Sequence, residues 1–179
     1  MTNSPRKKFK IVVAGPFSAG KSQFIATASA LNSFCTETLI SDETTFEKLH
    51  TTVAMDFGRV DYEGKSLYLF GTPGQERFEF MWKILTTGMH ALLIIVDATD
   101  LAAAKDAVAI ANYYQERHNI PIIVAANKQD LSYARTPEQM YAVLEVPRTI
   151  PLLPLIARDR RSVRLVCNRL LKETENWLY

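Results

Sequence analysis

A single doubly wound α/β domain is the architecture this 179-residue sequence predicts, with about six strands in a mostly parallel sheet, one antiparallel edge strand and about five helices. Three observations lead there. Short apolar runs recur without polar alternation, as in strands buried on both faces of a parallel sheet. Helix-length stretches separate those runs, and strand–helix alternation selects this layered class. No internal repeat, linker or low-complexity segment divides the chain, so residues 1–179 read as one domain.

Taken in order, the run "FKIVVAG" predicts a strand over 9–15 and is followed by a helix over 21–30. The polar, poorly periodic stretch 31–50 is the longest candidate loop, and loops of that length are usually functional. A strand over 52–62 reaches "SLYLF" at 66–70 across Glu63-Gly64-Lys65, short enough for a hairpin, which makes the first of the pair the antiparallel edge. A helix over 78–88, the strand "ALLIIVD" at 91–97, a helix over 102–118 and the strand "PIIVAAN" at 121–127 follow. The next helix, 136–144, opens on Thr136-Pro137-Glu138, a hydroxyl cap with proline at the first helical position. A strand over 152–157 and a helix over 162–177 complete the series. Ligands of such sheets sit beyond the C-terminal ends of the strands.

Composition narrows the functional classes. The formal net charge of +2 is too small to argue for nucleic acid, and basic residues cluster only at Arg6-Lys7-Lys8 and over 158–164. Cys35 and Cys167 lie far apart with no metal-ligand spacing and read as free thiols of a reducing compartment. His50, His90 and His118 likewise show no ligand spacing. No run reaches the roughly 18 apolar residues of a spanning helix, and the N-terminus has no hydrophobic leader, so a cytoplasmic location is expected. Thr2 and the closing Asn176-Trp177-Leu178-Tyr179 offer no lipid acceptor, so membrane association is expected only through a partner.

Chemistry begins at Gly15-Pro16-Phe17-Ser18-Ala19-Gly20-Lys21-Ser22, a G-x-x-x-x-G-K-[ST] phosphate loop set between an apolar strand and a helix. Glycines let backbone N–H groups converge on phosphates, the helix presents its positive N-terminus, and Lys21 adds a point charge. Ser22 offers a hydroxyl to a magnesium ion bridging the phosphates. The nucleotide-binding candidates along this stretch are Gly15, Ser18, Ala19, Gly20, Lys21, Ser22 and Gln23.

The second motif, Asn127-Lys128-Gln129-Asp130, directly follows an apolar strand. The Asp130 carboxylate can accept both edge N–H groups of guanine, whereas adenine offers no such pair. Asn127 would tie this segment to the purine and the phosphate loop, with the Lys128 stem along the base.

With "GTPGQERF" and "TVAMDF", these motifs give a chain that resembles the small Ras-like GTPases from end to end, most of all the bacterial branch with T-P-G-Q that includes polarity switches of gliding bacteria. The resemblance implies a P-loop GTPase domain binding GTP or GDP with Mg2+. It places Thr52 as the switch threonine that joins Ser22 on magnesium, Gln75 as the group orienting the attacking water, and the Gly74 backbone as the γ-phosphate sensor. Catalysis would then rest on Gln75, Lys21 and Gly74. Ile156-Ala157-Arg158 falls where the family has its last guanine-contacting loop, so the Ala157 N–H is carried over, with Arg158 beside it. The resemblance also implies a monomer with an activating protein, of roadblock type, an exchange factor and effectors.

One position departs from the wider family: Gly71 stands where relatives outside this branch hold an aspartate that bonds magnesium through water. Asp56 on the neighbouring strand either leans in to replace that charge or faces solvent. Phe17 is bulkier than is usual in the loop, which predicts slow unaided turnover. Arg59 and Arg77 are candidates to assist the transition state or are plain surface cations. Phe80, Met81 and Trp82 serve the core or a partner surface.

The leading expectation is a switch that hydrolyses GTP slowly and shows partners a different surface in each state. The alternative is a hydrolysis-deficient guanine-nucleotide-binding module, motivated by Gly71 and Phe17 and opposed by the retention of Gln75 and Thr52. A P-loop kinase is disfavoured by Asp130 and by the absence of an arginine-rich lid.

Overall fold

A computed structural model describes residues 6–31, 56–62, 64–72, 86–117 and 119–178. All of the expected loop over 31–50 except Leu31, the start of the expected strand over 52–62 and most of the expected helix over 78–88 lie outside them.

Six strands form one sheet: β1 (Lys7–Ala14), β2 (Phe57–Tyr62), β3 (Lys65–Gly71), β4 (Ala91–Asp97), β5 (Ile122–Asn127) and β6 (Leu152–Pro154). Among the described residues four helices accompany them, α1 (Lys21–Ser29), α2 (Leu101–Arg117), α3 (Pro137–Leu144) and α4 (Arg160–Leu178). The spatial order is β2-β3-β1-β4-β5-β6, and only β2 runs antiparallel. The expected architecture is therefore the one observed.

The absence of alternation in the strands has its cause in two apolar layers. Ile11 and Val13 of β1 face α1 and α4 through Phe24, Ile25, Val163 and Leu170. Val12 and Ala14 face α2 and α3 through Ala104, Ala107, Tyr114 and Met140. Every residue from Phe9 to Ala14 except half-buried Lys10 is buried, so a polar residue on either face would lose water without replacement. Cys167 lies in the first layer, where burial pushes its thiol up to about 12 and leaves it an inert core filler.

Local signals place the ends. Tyr62 opposite Lys65 leaves two residues for the hairpin turn, and Gly64 takes φ 76° there. Thr136 caps α3 in a full capping box with Gln139, behind Pro137. Most boundaries move by a residue or two, and two of the shifts have a visible cause. β6 stops at Pro154 rather than 157: Leu155 N still donates to Ala126 O of β5 at 2.9 Å, but after it Ile156 N turns to Ser162 Oγ at 2.8 Å and Ala157 N to Asn127 Oδ1 at 2.9 Å. α4 starts two residues early because Asp159 caps it, accepting from Ser162 N at 2.7 Å.

After β1 the chain builds β3 on one side and β4 on the other, so the segment leaving β1 emerges at the point where the winding reverses. No helix among the described residues is long and apolar enough to cross a membrane.

Candidate functional site

The segment leaving β1 curls because its backbone must. Gly15 has φ 141°, and a Cβ there would lie 2.1 Å from the Ile95 carbonyl oxygen. Gly20, with φ 104°, ends the curl and N-caps α1; Ser18 also takes a left-handed φ of 61°. The result is a cradle over the first turn of α1, where unpaired backbone N–H groups and the helix dipole favour an anion.

Lys21 is buried and folds back over the cradle, its Nζ donating to the Gly15 and Pro16 carbonyls at 2.7 Å each. An ammonium has three donors, so these two acceptors leave one for an anion. Burial pushes Lys21 down to about 8, against the opposing pull of the Asp56 charge. Gln23 spends its amide on Thr27 Oγ1 at 3.0 Å along α1.

Asp56 leans toward the cradle: Ser22 Oγ donates to Asp56 Oδ2 at 2.5 Å. Its backbone is fastened by Gly71 N donating to Asp56 O at 2.8 Å, and the end of β3 by Thr72 N donating to Val13 O at 2.9 Å. The Asp56 side chain lies over Gly71, where an added Cβ would meet Asp56 Cβ and Ile25 Cδ1 at 3.0 Å each. Thr72 Oγ1 is buried with no hydrogen-bond partner among the described residues. Ser22 oxygen, a carboxylate and this orphaned hydroxyl are hard oxygen donors, the set that suits a magnesium ion held mainly by phosphates and waters.

Across the same end of the sheet, Asn127 closes β5 and is buried. Its Nδ2 donates to Ala19 O at 2.8 Å while its Oδ1 accepts from Ala157 N at 2.9 Å, so one side chain clamps three loops. The expected tie between this motif and the phosphate loop is thus present, and the Ala157 N–H expected at the purine is here engaged by Asn127. Gly20 makes the clamp possible, since a Cβ there would lie 2.2 Å from Asn127 Nδ2.

Lys128, with φ 69°, pairs its Nζ with Asp97 Oδ2. Asp97 ends β4 opposite Asn127 and also accepts from Thr99 N at 2.9 Å and Thr99 Oγ1 at 2.6 Å. Burial alone would raise the Asp97 carboxyl, but the Lys128 and Thr99 donors outweigh it and hold it below the usual range. Sequence reasoning passed over Asp97, although an acid closing an apolar run at the ligand end of a sheet was a usable signal. Asp130 accepts from Arg158 Nη2 at 2.5 Å on the exposed rim.

The structure therefore brings Gly15, Ser18, Ala19 and Gly20 of one loop together with Lys21 and Ser22 at the start of α1, with Asn127 at the end of β5 and Lys128, Asp130, Ala157 and Arg158 on two loops beside them. Thr52, Gly74, Gln75, Arg77, Phe80, Met81, Trp82, Cys35, His50 and His118 lie outside the described residues. Arg59 is held in a bidentate pair with Asp61, at 2.9 and 3.0 Å, on the outer edge of the sheet. Phe17 is 71% exposed at the rim of the loop.

Comparison with known proteins adds a family. The profile of the family described as "Conserved hypothetical ATP binding protein" matches residues 34–175, which include Asn127–Asp130 but begin after the phosphate loop. An uncharacterized protein of Methanocaldococcus jannaschii is 30% identical over 133 residues, covering 74% of this chain and 78% of that protein. Ras-related protein Rab-34 of Rattus norvegicus is 31% identical over 144 residues, 76% of this chain and 49% of its own length. ADP-ribosylation factor-related protein 1 of the same organism is 31% identical over 87 residues, 47% and 43% of the two chains. The chain thus spans less than half the length of these two relatives, and its six-stranded sheet with one antiparallel strand is consistent with the P-loop GTPase fold.

Proposed function

The chain belongs to the family described as conserved hypothetical ATP-binding proteins, and from that nucleotide-binding premise we propose that it is a GTP-binding switch that hydrolyses GTP to GDP and phosphate. One observation carries the reading: the buried Asn127 clamp joins the phosphate cradle to the loop bearing Asp130, so one ligand long enough to touch both would be a nucleotide. Lys21 and the backbone amides of the cradle grip the phosphates, and Asp130 selects guanine through its paired edge donors. Ser22 and Thr52 hold Mg2+, which when bound neutralises charge on the phosphates. Gln75 positions the attacking water and the Gly74 amide meets the γ-phosphate. These roles come from the resemblance to Ras-like GTPases of the bacterial T-P-G-Q branch, and the names of the Arf and Rab relatives support them.

Unaided turnover is slow, on the order of 10⁻⁴ to 10⁻³ s⁻¹ as for comparable switches. An activator of roadblock type, an exchange factor and effectors act on a cytoplasmic, single-domain monomer. An arginine contributed to the transition state raises the rate by about 10³ to 10⁵, and Arg59, committed to Asp61, is poorly disposed to be that group.

The family's description favours a second reading in which the base is adenine. Calorimetry with GDP, GTP and ATP in magnesium buffer separates the two: guanine nucleotides bind and ATP is at least about 100-fold weaker, or ATP binds equally and the guanine assignment is wrong. Incubation with GTP then yields GDP slowly. No GDP, even with candidate activators, would leave a binding module without hydrolysis.

A further inference from the structure

The carboxylate beside the phosphate cradle comes from the residue just ahead of the antiparallel strand. Gly71, at the end of β3, has no side chain, and the space its Cβ would occupy is bounded by Asp56 Cβ at 3.0 Å and Asp56 Oδ2 at 3.4 Å. Asp56, one residue before β2, fills that space from the antiparallel edge strand and takes the Ser22 hydroxyl at 2.5 Å. The two features are complementary: a Cβ at 71 would require Asp56 or Ile25 to give way by a few tenths of an ångström. A second close approach supports the placement. A Cβ at Gly58, two residues along β2, would lie 2.4 Å from Ser29 Oγ and 2.7 Å from Ile25 Cγ2, so β2 lies directly against α1, the helix that carries Ser22.

We propose that Asp56, rather than a residue of β3, is the protein carboxylate that serves the divalent cation accompanying the nucleotide. The inference rests on the nucleotide reading above. Its chemistry follows from the observed hydrogen bond. An ionised carboxylate can only accept, so the Ser22 proton points at Asp56 and the oxygen lone pairs of Ser22 are left for a cation. Among the described residues no hydrogen bond engages the second Asp56 oxygen, which could accept from a cation-bound water. Among the described residues, Asp97 is committed to Lys128 and Thr99, Asp130 to Arg158, and Asp100 and Asp159 to the N–H groups of Ala103 and Ser162. Among the described residues no group of three or more His, Cys, Asp or Glu side chains gathers, which suits a cation held by Ser22, phosphates and waters with Asp56 as its acid, the kind of ligand set magnesium takes in nucleotide sites.

The test is release of a fluorescent GDP analogue from full-length protein, with magnesium and with chelator, read as the ratio of the two rates. In the unaltered protein magnesium slows release. Asp56→Asn, which keeps size and can still accept from Ser22, is expected to shrink that ratio by about 10- to 100-fold, the usual effect of losing an outer-shell metal partner. Moving the acid, Asp56→Gly with Gly71→Asp, is expected to recover most of the ratio, and this variant tests the idea even if Asp56→Asn folds poorly. An unchanged ratio in Asp56→Asn overturns the proposal while leaving nucleotide binding intact. Failure of the unaltered protein to hold the nucleotide would instead overturn the functional reading, and this inference with it.

Discussion

The two ends of the proposed nucleotide site, the cradle for phosphate and the rim for the base, are built from different materials. The cradle over 15–20 owes its shape to backbone: two glycines at φ 141° and 104°, a left-handed serine, and one buried lysine held by two loop carbonyls. The base end is made of side chains on a rim, Lys128 on Asp97 and Arg158 on exposed contact with Asp130. A single buried amide, Asn127, joins the two. Grip, on this comparison, is a property of chain path and is broken by adding atoms. Selectivity is a property of functional groups and is broken by exchanging them.

Adding one methyl group where the two ends meet is the most damaging test. Gly20→Ala forces a non-glycine residue to φ 104° and drives a Cβ into the Asn127 amide, at 2.2 Å. Backbone strain of about 1–3 kcal/mol is expected before the clash is counted. Thermal unfolding should fall and nucleotide affinity drop by at least about 100-fold; a variant that kept both would show the clamp to be incidental.

Lys21→Ala separates grip from stability. Loss of a charge-assisted partner costs about 2–4 kcal/mol of binding, roughly 30- to 1000-fold for GTP and GDP alike. Thermal stability should not fall with it, since the folded state buries this ammonium at a cost. The pH dependence follows from the same shift. Lys21 loses its proton near 8 when folded and near 10.5 when unfolded, so the unfolded chain binds more protons in between. The ligand-free stability contribution therefore rises from about pH 8 to about 10.5. Nucleotide affinity, which needs the ammonium, falls as pH climbs above about 8. Calorimetry and unfolding across that window should show opposite slopes, and both should vanish in Lys21→Ala.

Asp130→Asn probes selectivity. GTP should weaken by about 10- to 150-fold, corresponding to 1.5–3 kcal/mol for a hydrogen bond to a charged group, while ATP is unmoved. Equal losses for both would mean that Asp130 supports the loop rather than reading the base. Arg158→Ala should matter least: its pair is on the rim, with the arginine side chain 74% exposed, and such pairs contribute about 0–1 kcal/mol, under about fivefold in affinity.

Much of this could be read in the chain. Strands from Lys7–Ala14 to Ile122–Asn127 declare themselves because burial on two faces demands continuous apolar residues. The capping box at Thr136 is legible because its partners lie three residues apart. Less legible were the early start of α4, which depends on Asp159 choosing to cap, and the short β6, where N–H groups turn to Ser162 and Asn127 instead of a strand.

What the sequence by itself determined, then, is the list of parts: a doubly wound sheet, a loop of G-x-x-x-x-G-K-[ST] pattern at the end of its first strand and the string Asn127-Lys128-Gln129-Asp130 at the end of its fifth. These are local matters, settled by residues a few positions apart. Only the tertiary structure decided which distant groups meet, that Asp56 covers Gly71 and takes Ser22, that Asp97 and not the base end alone holds Lys128, and that Arg59 turns to Asp61. The reason is geometric: those contacts depend on strand order, register and the distance between β2 and α1, which no spacing along the chain encodes.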